Sequence, residues 1–214
     1  MSTPFSDHLL FFRQFREQFE TTGAIAPSSR FLANAITEPF RHRSIPARLL
    51  EVGPGTGAFT RTIVRHLNLD ERFDLVELNT EFAQRLERRF AEERHFRAVG
   101  QQSRVHACAV QDFEADTPYD FIISGLPLNN FSADLVRQLF DSWFGLLAPG
   151  GVLSYFEYMY VRPIRRLVAR GDEKTRLSSL DEIIGARIER HRFRRDWVFV
   201  NCPPAWVQHL RKEG

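Results

Sequence analysis

The chain has 214 residues, enough for one domain with a full hydrophobic core, and its hydrophobic share of 43% is ordinary for a globular protein. Its formal net charge of +2 does not by itself indicate a polyanionic partner, and Cys108 and Cys202 are too few for a disulfide framework and lack metal-ligand spacing. From the cysteines we expect no metal site. No apolar run reaches the roughly 20 residues that cross a bilayer, and the first residues lack a signal-peptide pattern, so we expect a cytoplasmic protein.

An amphipathic helix is predicted near the start of the chain. Over residues 7–19, large apolar side chains recur at helical spacing and basic side chains lie largely on the other face. The apolar set includes Leu9, Phe12, Phe15 and Phe19, and the basic set is Arg13 and Arg16. Gly23 would end this helix, and Ser28 or Ser29 can cap a second helix over residues 31–40.

After Pro46, strand and helix patterns alternate along the chain. Strands are predicted at residues 48–53, 73–78, 104–110, 121–124 and 152–158, and helices at residues 58–67, 81–92 and about 132–147. Alternation of this kind predicts an α/β fold in which helices cover both faces of a mostly parallel sheet. The end of the chain departs from it, because residues 191–200 and 205–211 flank a turn as the two strands of an antiparallel hairpin would.

A glycine-rich turn, EVGPGTG at residues 51–57, joins the first predicted strand to the helix that follows. Glycines there allow a ligand to approach the backbone, at the edge of the sheet where open α/β folds bind ligands. Gly53, Gly55 and Ala58 also match the fingerprint of dinucleotide binding, so the glycines alone do not separate a nicotinamide dinucleotide from another adenosyl cofactor.

Carboxylates at three successive strand ends favour S-adenosylmethionine. Glu51 stands two residues before the first glycine, where an anion suits a cationic ligand better than a pyrophosphate. Glu77 follows the turn by about 20 residues, the place from which a carboxylate accepts hydrogen bonds from ribose hydroxyls. Asp112 can accept from an adenine amino group, and Phe113 is available for stacking on the adenine.

These features together resemble the class I S-adenosylmethionine-dependent methyltransferases over nearly the whole chain, with the LAPGG segment at residues 147–151 and the terminal hairpin adding to the likeness. More narrowly, GAIAPSS (residues 23–29), ISGLPLNNF (123–131) and NCPPAWVQHLR (201–211) resemble the bacterial phospholipid N-methyltransferases. That family is related to the ribosomal RNA adenine dimethylases, and its members convert phosphatidylethanolamine stepwise to phosphatidylcholine.

The resemblance implies a Rossmann-like fold with a seven-stranded, mostly parallel sheet, a C-terminal antiparallel hairpin and N-terminal amphipathic helices. Residues 1–40 would carry those helices and a segment that closes over the cofactor, and residues 41–214 would form the methyltransferase domain, within one structural unit. S-adenosylmethionine would be the cofactor and S-adenosylhomocysteine its product. The expected cofactor-binding residues are Ser28, Ser29, Glu51, Gly53, Gly55, Thr56, Gly57, Glu77, Leu78, Asp112, Phe113 and Gly125.

The segment after the fourth predicted strand indicates the type of methyl acceptor. Relatives that methylate nucleobases place a polar residue and an aromatic where this chain has Gly125 and Leu128, so a planar base would lose its stacking partner. An aliphatic amine fits better, but it must be neutral to react, and its pKa in water is roughly 10. We expect Asn129 and Asn130 to orient the amine, and Tyr155, Glu157, Tyr158 and Tyr160 to contact the cation or accept its proton.

A lipid substrate would also explain two basic segments. Phe12, Arg13, Phe15, Arg16 and Phe19 would place the first helix in an anionic membrane surface, and Arg162, Arg165 and Arg166 would hold a lipid phosphate. The helix could instead pack on the domain's own core, and the second segment could be a solvated helix face. We therefore expect N-methylation of phosphatidylethanolamine at the inner face of the cell membrane and no nucleic-acid partner, with an amino-acid lipid such as ornithine lipid, or RNA adenine, as the alternative substrate.

Overall fold

The computed structural model describes residues 30–159 and 171–214. Several predicted site residues lie outside these ranges: Phe12, Arg13, Phe15, Arg16, Phe19, Ser28, Ser29, Tyr160, Arg162, Arg165 and Arg166. The proposed membrane helix, the cofactor-closing segment and the second basic segment therefore remain predictions from the sequence.

The described residues contain one seven-stranded sheet with the order β3-β2-β1-β4-β5-β7-β6. Its strands are β1 (Arg48–Val52), β2 (Arg72–Val76), β3 (Ser103–His106), β4 (Tyr119–Ser124), β5 (Leu147–Tyr158), β6 (Arg192–Val198) and β7 (Ala205–Arg211). The first five strands pair in parallel, and β7 runs antiparallel to both of its neighbours. The predicted α/β fold with a C-terminal antiparallel hairpin is confirmed.

Helices cover both faces of the sheet. They are α1 (Arg30–Ile36), α2 (Glu38–Arg41), α3 (Thr60–Ile63), α4 (Thr80–Glu92), α5 (Arg94–Arg97), α6 (Ala133–Leu146) and α7 (Gly171–His191). On one face, Phe140 and Trp143 of α6 and Leu180 of α7 pack in one apolar cluster with β4 and β5. On the other face, Ile36 of α1 and Leu86 of α4 belong to the second cluster. Double coverage explains why β1 buries four consecutive residues instead of alternating.

The order of the strands places a crevice beside β1. From β1 the chain moves outward to β2 and β3, and it then returns to the other side of β1 to form β4. Open α/β sheets bind ligands at such a reversal, outside the carboxyl ends of the strands. We call this edge of the sheet the catalytic edge. The edge at which β1 and β2 begin is called the opposite edge.

Several elements differ from the predictions. The helix predicted over residues 31–40 is divided into α1 and α2, and the one predicted over residues 58–67 is shorter, with α3 at Thr60–Ile63. The helix α7 was not predicted, although Leu177, Leu180 and Ile184 recur at helical spacing and are buried. The third strand ends at His106 instead of residue 110, and residues 110–112 form a short 3-10 helix. The fifth strand was predicted to begin at residue 152, but β5 already begins at Leu147, which pairs with Tyr119.

A buried ion pair braces the opposite edge. Arg43 contacts the carboxylate of Glu71 with its Nε and Nη2 atoms, and the two side chains are 7% and 0% exposed. Glu71 also accepts hydrogen bonds from the backbone N–H groups of Asn68 and Ala47, at 2.7 and 3.1 Å. One carboxylate therefore joins the segments that lead into β1 and β2.

A second polar group crosses the antiparallel part of the sheet. Ser154 Oγ lies 2.8 Å from Nδ1 of His209, whose Nε2 lies 3.3 Å from Oδ2 of Asp196, so the group links β5, β7 and β6. Asp196 also accepts a hydrogen bond from Arg194, which pairs with Glu38 in α2. Ser154 is 2% exposed and His209 is fully buried.

Within residues 30–159 and 171–214, no helix has the length and apolarity that crossing a bilayer would require. The same part of the chain holds no group of three or more histidine, cysteine or acidic side chains that could bind a metal ion.

Candidate active site

The turn after β1 has a left-handed backbone at three glycines. The φ angles of Gly53, Gly55 and Gly57 are 68°, 59° and 79°, a region that other residues enter only at a cost. The N–H of Gly53 donates to the carbonyl of Val76 at 2.9 Å, which continues the pairing of β1 with β2 into the turn. The predicted glycine motif thus folds as a fixed loop at the catalytic edge.

Gly125 follows β4 and packs directly on this loop. Its N–H donates to the carbonyl of Val52 at 2.8 Å, and a Cβ atom on Gly125 would lie 2.6 Å from the carbonyl oxygen of Gly53. A Cβ atom on Gly53 would lie 2.3 Å from Cδ2 of Leu126. Glycine is therefore needed at Gly125 because a Cβ atom would meet the backbone of Gly53, and at Gly53 because its φ angle is left-handed.

A cavity of about 280 Å³ opens at the catalytic edge. Its walls are the ends of β1 and β2, the segment after β3, and one face of α6: Val52, Gly53, Val76, Glu77, Leu78, Cys108, Ala109, Val110, Gln111, Asp112, Leu126, Leu135, Gln138 and Leu139. The structure thus brings together Gly53, Glu77, Leu78 and Asp112, which were predicted, with residues of α6 that were not.

Glu51 lies in β1, two residues before Gly53, and is fully buried. Its Oε2 atom accepts a hydrogen bond from the hydroxyl of Thr60 at 2.7 Å, whereas its buried Oε1 atom has no hydrogen-bond partner. Burial raises the pKa of Glu51 to about 8, with Glu77 adding to the rise and the Thr60 hydrogen bond opposing it. Few buried acceptors lack a partner, and this one suits a cationic donor from a ligand.

Glu77 shapes the turn as well as lining the cavity. Its Oε2 atom accepts from the N–H of Gly55 at 2.9 Å, and its Oε1 atom accepts from the N–H of Asn79 at 3.0 Å. Asn79 in turn caps α4 by accepting from the N–H groups of Glu81 and Phe82. The carboxylate therefore holds the glycine loop against the start of α4.

Asp112 and Phe113 have different positions relative to the cavity. Asp112 is exposed, ends the 3-10 helix and contributes to the cavity wall. The ring of Phe113 packs 4.8 Å from that of His106 and 6.3 Å from that of Tyr119, and Phe113 is not among the cavity-lining residues. The adenine-stacking role of Phe113 therefore stays a prediction, and its ring packs against the core beside the 3-10 helix.

Arg89 of α4 supports the turn and was missed in the sequence. Its Nη1 atom donates to the carbonyl of Thr56 at 2.8 Å, and a Cβ atom on Gly57 would lie 2.5 Å from the same nitrogen. The guanidinium also pairs with Glu93 and lies 4.1 Å from the ring centroid of Phe96. The spacing of Arg89 and Glu93, four residues apart on a predicted helix, was the available signal.

The segment after β4 places Asn129 in the interior. Asn129 lies in the 3-10 helix Leu128–Asn130, is 6% exposed, and its Oδ1 atom is buried without a hydrogen-bond partner. Arg176 of α7 donates to the carbonyl of Phe131 at 2.8 Å and lies 3.5 Å from the carbonyl of Asn129. The unpredicted helix therefore holds the segment that carries the predicted amine-orienting residues Asn129 and Asn130.

The candidates on β5 do not share one face of the sheet. Tyr155 is fully buried with its ring 5.6 Å from that of Phe140, so it belongs to the core beneath α6. Glu157 points to the same face and is 3% exposed. Tyr158 lies on the other face, where burial raises its pKa to about 12 and disfavours the phenolate. Of these three residues, Glu157 is the one that carries a carboxyl group on the face beneath α6.

Comparison with known proteins identifies the family. A family described as Methyltransferase domain matches residues 49–151. Ornithine lipid N-methyltransferase of Singulisphaera acidiphila is 32% identical over 167 residues, which cover 75% of this chain and 84% of that protein. The chain belongs to the class I S-adenosylmethionine-dependent methyltransferases.

Solved methyltransferase structures share the fold at low sequence identity. The O-methyltransferase TomG from Streptomyces achromogenes, in complex with S-adenosylmethionine, has a TM-score of 0.61 at 16% identity and covers 86% of this chain and 81% of its own. The N-methyltransferase NodS from Bradyrhizobium japonicum WM9, in complex with S-adenosylhomocysteine, has a TM-score of 0.57 at 18% identity and covers 87% and 89%.

The protein is a methyltransferase that uses S-adenosylmethionine, and its cavity fits this cofactor. Gly53, which lines the cavity, presents only backbone atoms to it, with no side chain in between. Glu77 and Asp112 form part of the cavity wall, and Glu51, which is not among the lining residues, has an unpartnered Oε1 atom in the strand that leads into the glycine turn. A cationic, hydroxyl-bearing ligand matches this set of acceptors.

Proposed function

We propose that this methyltransferase transfers a methyl group to the amine of a lipid, with an amino-acid lipid such as ornithine lipid as the favoured substrate. The observation that carries the proposal is the 32% identity to a protein named ornithine lipid N-methyltransferase over most of both chains. The phosphatidylethanolamine substrate expected from the sequence is the second candidate. Its support is the resemblance of residues 23–29, 123–131 and 201–211 to the phospholipid N-methyltransferases.

The residues after β4 support an aliphatic amine as the acceptor. Leu128 is 1% exposed where base-methylating relatives place an aromatic residue, so a planar base has no stacking surface there. The buried Oδ1 atom of Asn129 can accept a hydrogen bond from an amine N–H. These features favour a flexible amine over RNA adenine.

We assign the cofactor to the residues around the glycine turn. Gly53, Gly55, Thr56, Gly57 and Gly125 would line its path, Glu51 would receive its ammonium group, and Glu77 and Asp112 would accept from its sugar and base. When bound, S-adenosylmethionine supplies a methyl group attached to a positively charged sulfur.

Residues of the chain would position the amine and favour its neutral form. An aliphatic ammonium has a pKa of roughly 10 and must lose a proton to expose its lone pair. Desolvation beside a cation lowers that pKa. Asn129 would orient the amine through its Oδ1 atom, and the carboxylate of Glu157 would attract the incoming ammonium group.

A substrate panel tests the proposal. The full chain is incubated with S-adenosylmethionine and detergent-dispersed ornithine lipid, phosphatidylethanolamine or adenine-containing RNA, and the products are measured by mass spectrometry. We expect methylated ornithine lipid as the main product, and Asn129→Ala should reduce its formation at least tenfold while cofactor affinity stays within twofold. Methylated RNA with neither lipid modified would contradict the proposal, and exclusive methylation of phosphatidylethanolamine would replace the favoured substrate with the second candidate.

A further inference from the structure

Large apolar side chains are exposed at the turn between β6 and β7. We define the hairpin tip as residues 197–204, which end β6 and form this turn. Trp197 is 48% exposed, Phe199 64% and Val200 67%. Exposed groups of this kind commonly mark a surface that contacts a partner.

The aromatic side chains at the hairpin tip form an ordered group with a cation. The rings of Trp197 and Phe199 are stacked with their centroids 5.7 Å apart, and Trp206 of β7 meets Trp197 edge-on at the same distance. The guanidinium of Arg195 lies 4.8 Å from the ring centroid of Trp197 and 5.7 Å from that of Trp206. Tryptophan rings with a neighbouring arginine suit the interface of an anionic bilayer, where ring, headgroup and water meet.

The direction of the strands places the hairpin tip at the catalytic edge. β7 runs antiparallel to β5 and to β6, so β6 runs parallel to β5 and ends at the same edge. The cavity that fits the cofactor lies at that edge. In contrast, the exposed side chains of Ile45 and Leu69 precede β1 and β2, so they lie at the opposite edge.

We propose that the hairpin tip docks the catalytic edge on an anionic lipid bilayer, with Phe199 and Val200 entering the interface and Arg195 facing the anionic headgroups. This inference rests on the proposed lipid substrate, and it adds a contact surface made of other residues than those of the N-terminal helix predicted from the sequence. A bilayer is favoured over a protein partner because bulky apolar side chains, an indole stacked on a phenyl ring and a guanidinium are combined on and beside a short turn at the catalytic edge. A lipid headgroup could then reach the cavity while its acyl chains stay in the bilayer.

Vesicle binding tests the docking directly. Full-length protein is sedimented with large unilamellar vesicles of phosphatidylglycerol and phosphatidylcholine, or of phosphatidylcholine alone. Phe199→Ser/Val200→Ser should weaken binding to the mixed vesicles at least tenfold, and the matched control Ile45→Ser/Leu69→Ser should stay within twofold of wild type. Because all four side chains are exposed, both variants should melt like wild type.

The charge contribution is tested with Arg195→Gln. It should weaken binding to the mixed vesicles about threefold to tenfold and leave binding to phosphatidylcholine vesicles unchanged, because only the anionic lipid attracts the guanidinium. An equal loss on both kinds of vesicle would contradict the electrostatic part of the proposal.

Activity on dispersed and bilayer substrate separates this inference from the proposed function. Phe199→Ser/Val200→Ser should methylate detergent-dispersed ornithine lipid at the wild-type rate and vesicle-embedded ornithine lipid at least tenfold more slowly. If wild type methylates no dispersed lipid, the proposed function fails, and vesicle sedimentation still decides the docking. Wild-type vesicle binding by the tip variant overturns the docking, as does a dimer of wild type that the tip variant disrupts without any change in vesicle binding.

Discussion

Glu51 couples the ionisation of one carboxyl group to the stability of the folded chain. The side chain is fully buried, and its pKa is raised from 4.5 to about 8, so the folded state binds a proton that the unfolded state has lost between these values. Folding stability therefore falls as the pH rises from 4.5 to about 8, because the buried carboxyl must ionise without full compensation.

Glu51→Gln should remove this dependence. The variant and wild type should have similar melting temperatures near pH 4.5, and at pH 8 the variant should melt at least about 2 °C higher. Thermal denaturation across this pH range, without cofactor, measures the difference. A difference that is constant from pH 5 to pH 8 would contradict the assignment.

The same substitution should weaken cofactor binding. An amide lacks the charge that we propose for contact with the cofactor's ammonium group, so affinity for S-adenosylmethionine should fall at least tenfold by calorimetry. Glu92→Gln, an exposed acidic residue on α4, is the matched control and should bind like wild type. Wild-type affinity should also rise from pH 6 to pH 8, because a cationic ligand favours the ionised carboxylate.

Gly125→Ala tests the contact between the backbones after β1 and β4. The added methyl group would lie 2.6 Å from the carbonyl oxygen of Gly53, so the two segments must move apart. We expect a loss of about 1–3 kcal/mol in the free energy of unfolding and weaker cofactor binding. Gly145→Ala on α6 is the control: no atom lies within 4 Å of its added Cβ, and it should gain about 0.5–1 kcal/mol. Equal unfolding energies for the two variants would contradict the crowding argument.

Residues near the glycine turn were predictable because the signal is local. Spacing from the glycines located Glu51 and Glu77, since both end strands that are themselves readable as apolar runs. The contact of Arg89 with Thr56 spans 33 residues of sequence, and the packing of Phe113 on Tyr119 depends on where β3 ends. Such contacts are set by tertiary structure and have no local pattern.

At the scale of whole elements, α7 is the main omission from the prediction. Its buried residues Leu177, Leu180 and Ile184 are separated by serines, acidic residues and the partly buried Ile183, and Gly185 follows, so the apolar stripe is narrow. The helix packs beside α6 and contributes Arg176 to the segment after β4. An element without a strong pattern of its own thus supports the proposed amine site.

Arg176→Met should slow catalysis without weakening cofactor binding. Loss of the hydrogen bond to the carbonyl of Phe131 loosens the segment that carries Asn129, whereas the cofactor cavity does not include Arg176. We expect kcat to fall threefold to thirtyfold and the Kd for S-adenosylmethionine to stay within twofold. Arg187→Met on the same helix removes an exposed pair with Asp141 and should leave kcat unchanged. Weaker binding of S-adenosylmethionine by Arg176→Met, with wild-type binding by Arg187→Met, would contradict the assignment.

At the scale of the molecule, the two edges of the sheet have different tasks. The catalytic edge carries the glycine turn, the cavity and the hairpin tip. The opposite edge carries the buried pair of Arg43 and Glu71, which ties together the segments that enter β1 and β2. A substitution at the opposite edge should therefore change the stability of the fold without changing the activity at the catalytic edge.

Arg43→Met should destabilise the fold and spare the site. Removing one partner leaves the carboxylate of Glu71 buried without its cation, which costs about 3–5 kcal/mol in the free energy of unfolding. Denaturant titration measures the loss, and the specific activity of the folded fraction should stay within twofold of wild type. Arg43→Met/Glu71→Gln should recover part of the stability. A drop in activity at unchanged stability would show that the edges are not independent.

The architecture as a whole was more predictable than its details. Alternating apolar runs and amphipathic segments predict a parallel sheet covered by helices, because few connections between strands are sterically favoured. The terminal hairpin followed from two strand patterns around Asn201–Pro204 and agrees with the pairing of β6 with β7. The choice between lipid substrates did not follow from these patterns, since both candidates present an aliphatic amine.

The group formed by Ser154, His209 and Asp196 has the order of side chains found in serine hydrolases, but Nδ1 of the histidine faces the serine and Nε2 faces the aspartate, the reverse of the hydrolase arrangement. Here the hydroxyl and the imidazole are buried, and burial lowers the pKa of His209 while Asp196 opposes the shift, which favours the neutral ring as a link between the strands. Fluorophosphonate probes should leave Ser154 unlabelled in the native enzyme. The nucleophile of a hydrolase must be reachable by its substrate, so the burial of Ser154 argues against esterase activity at this group.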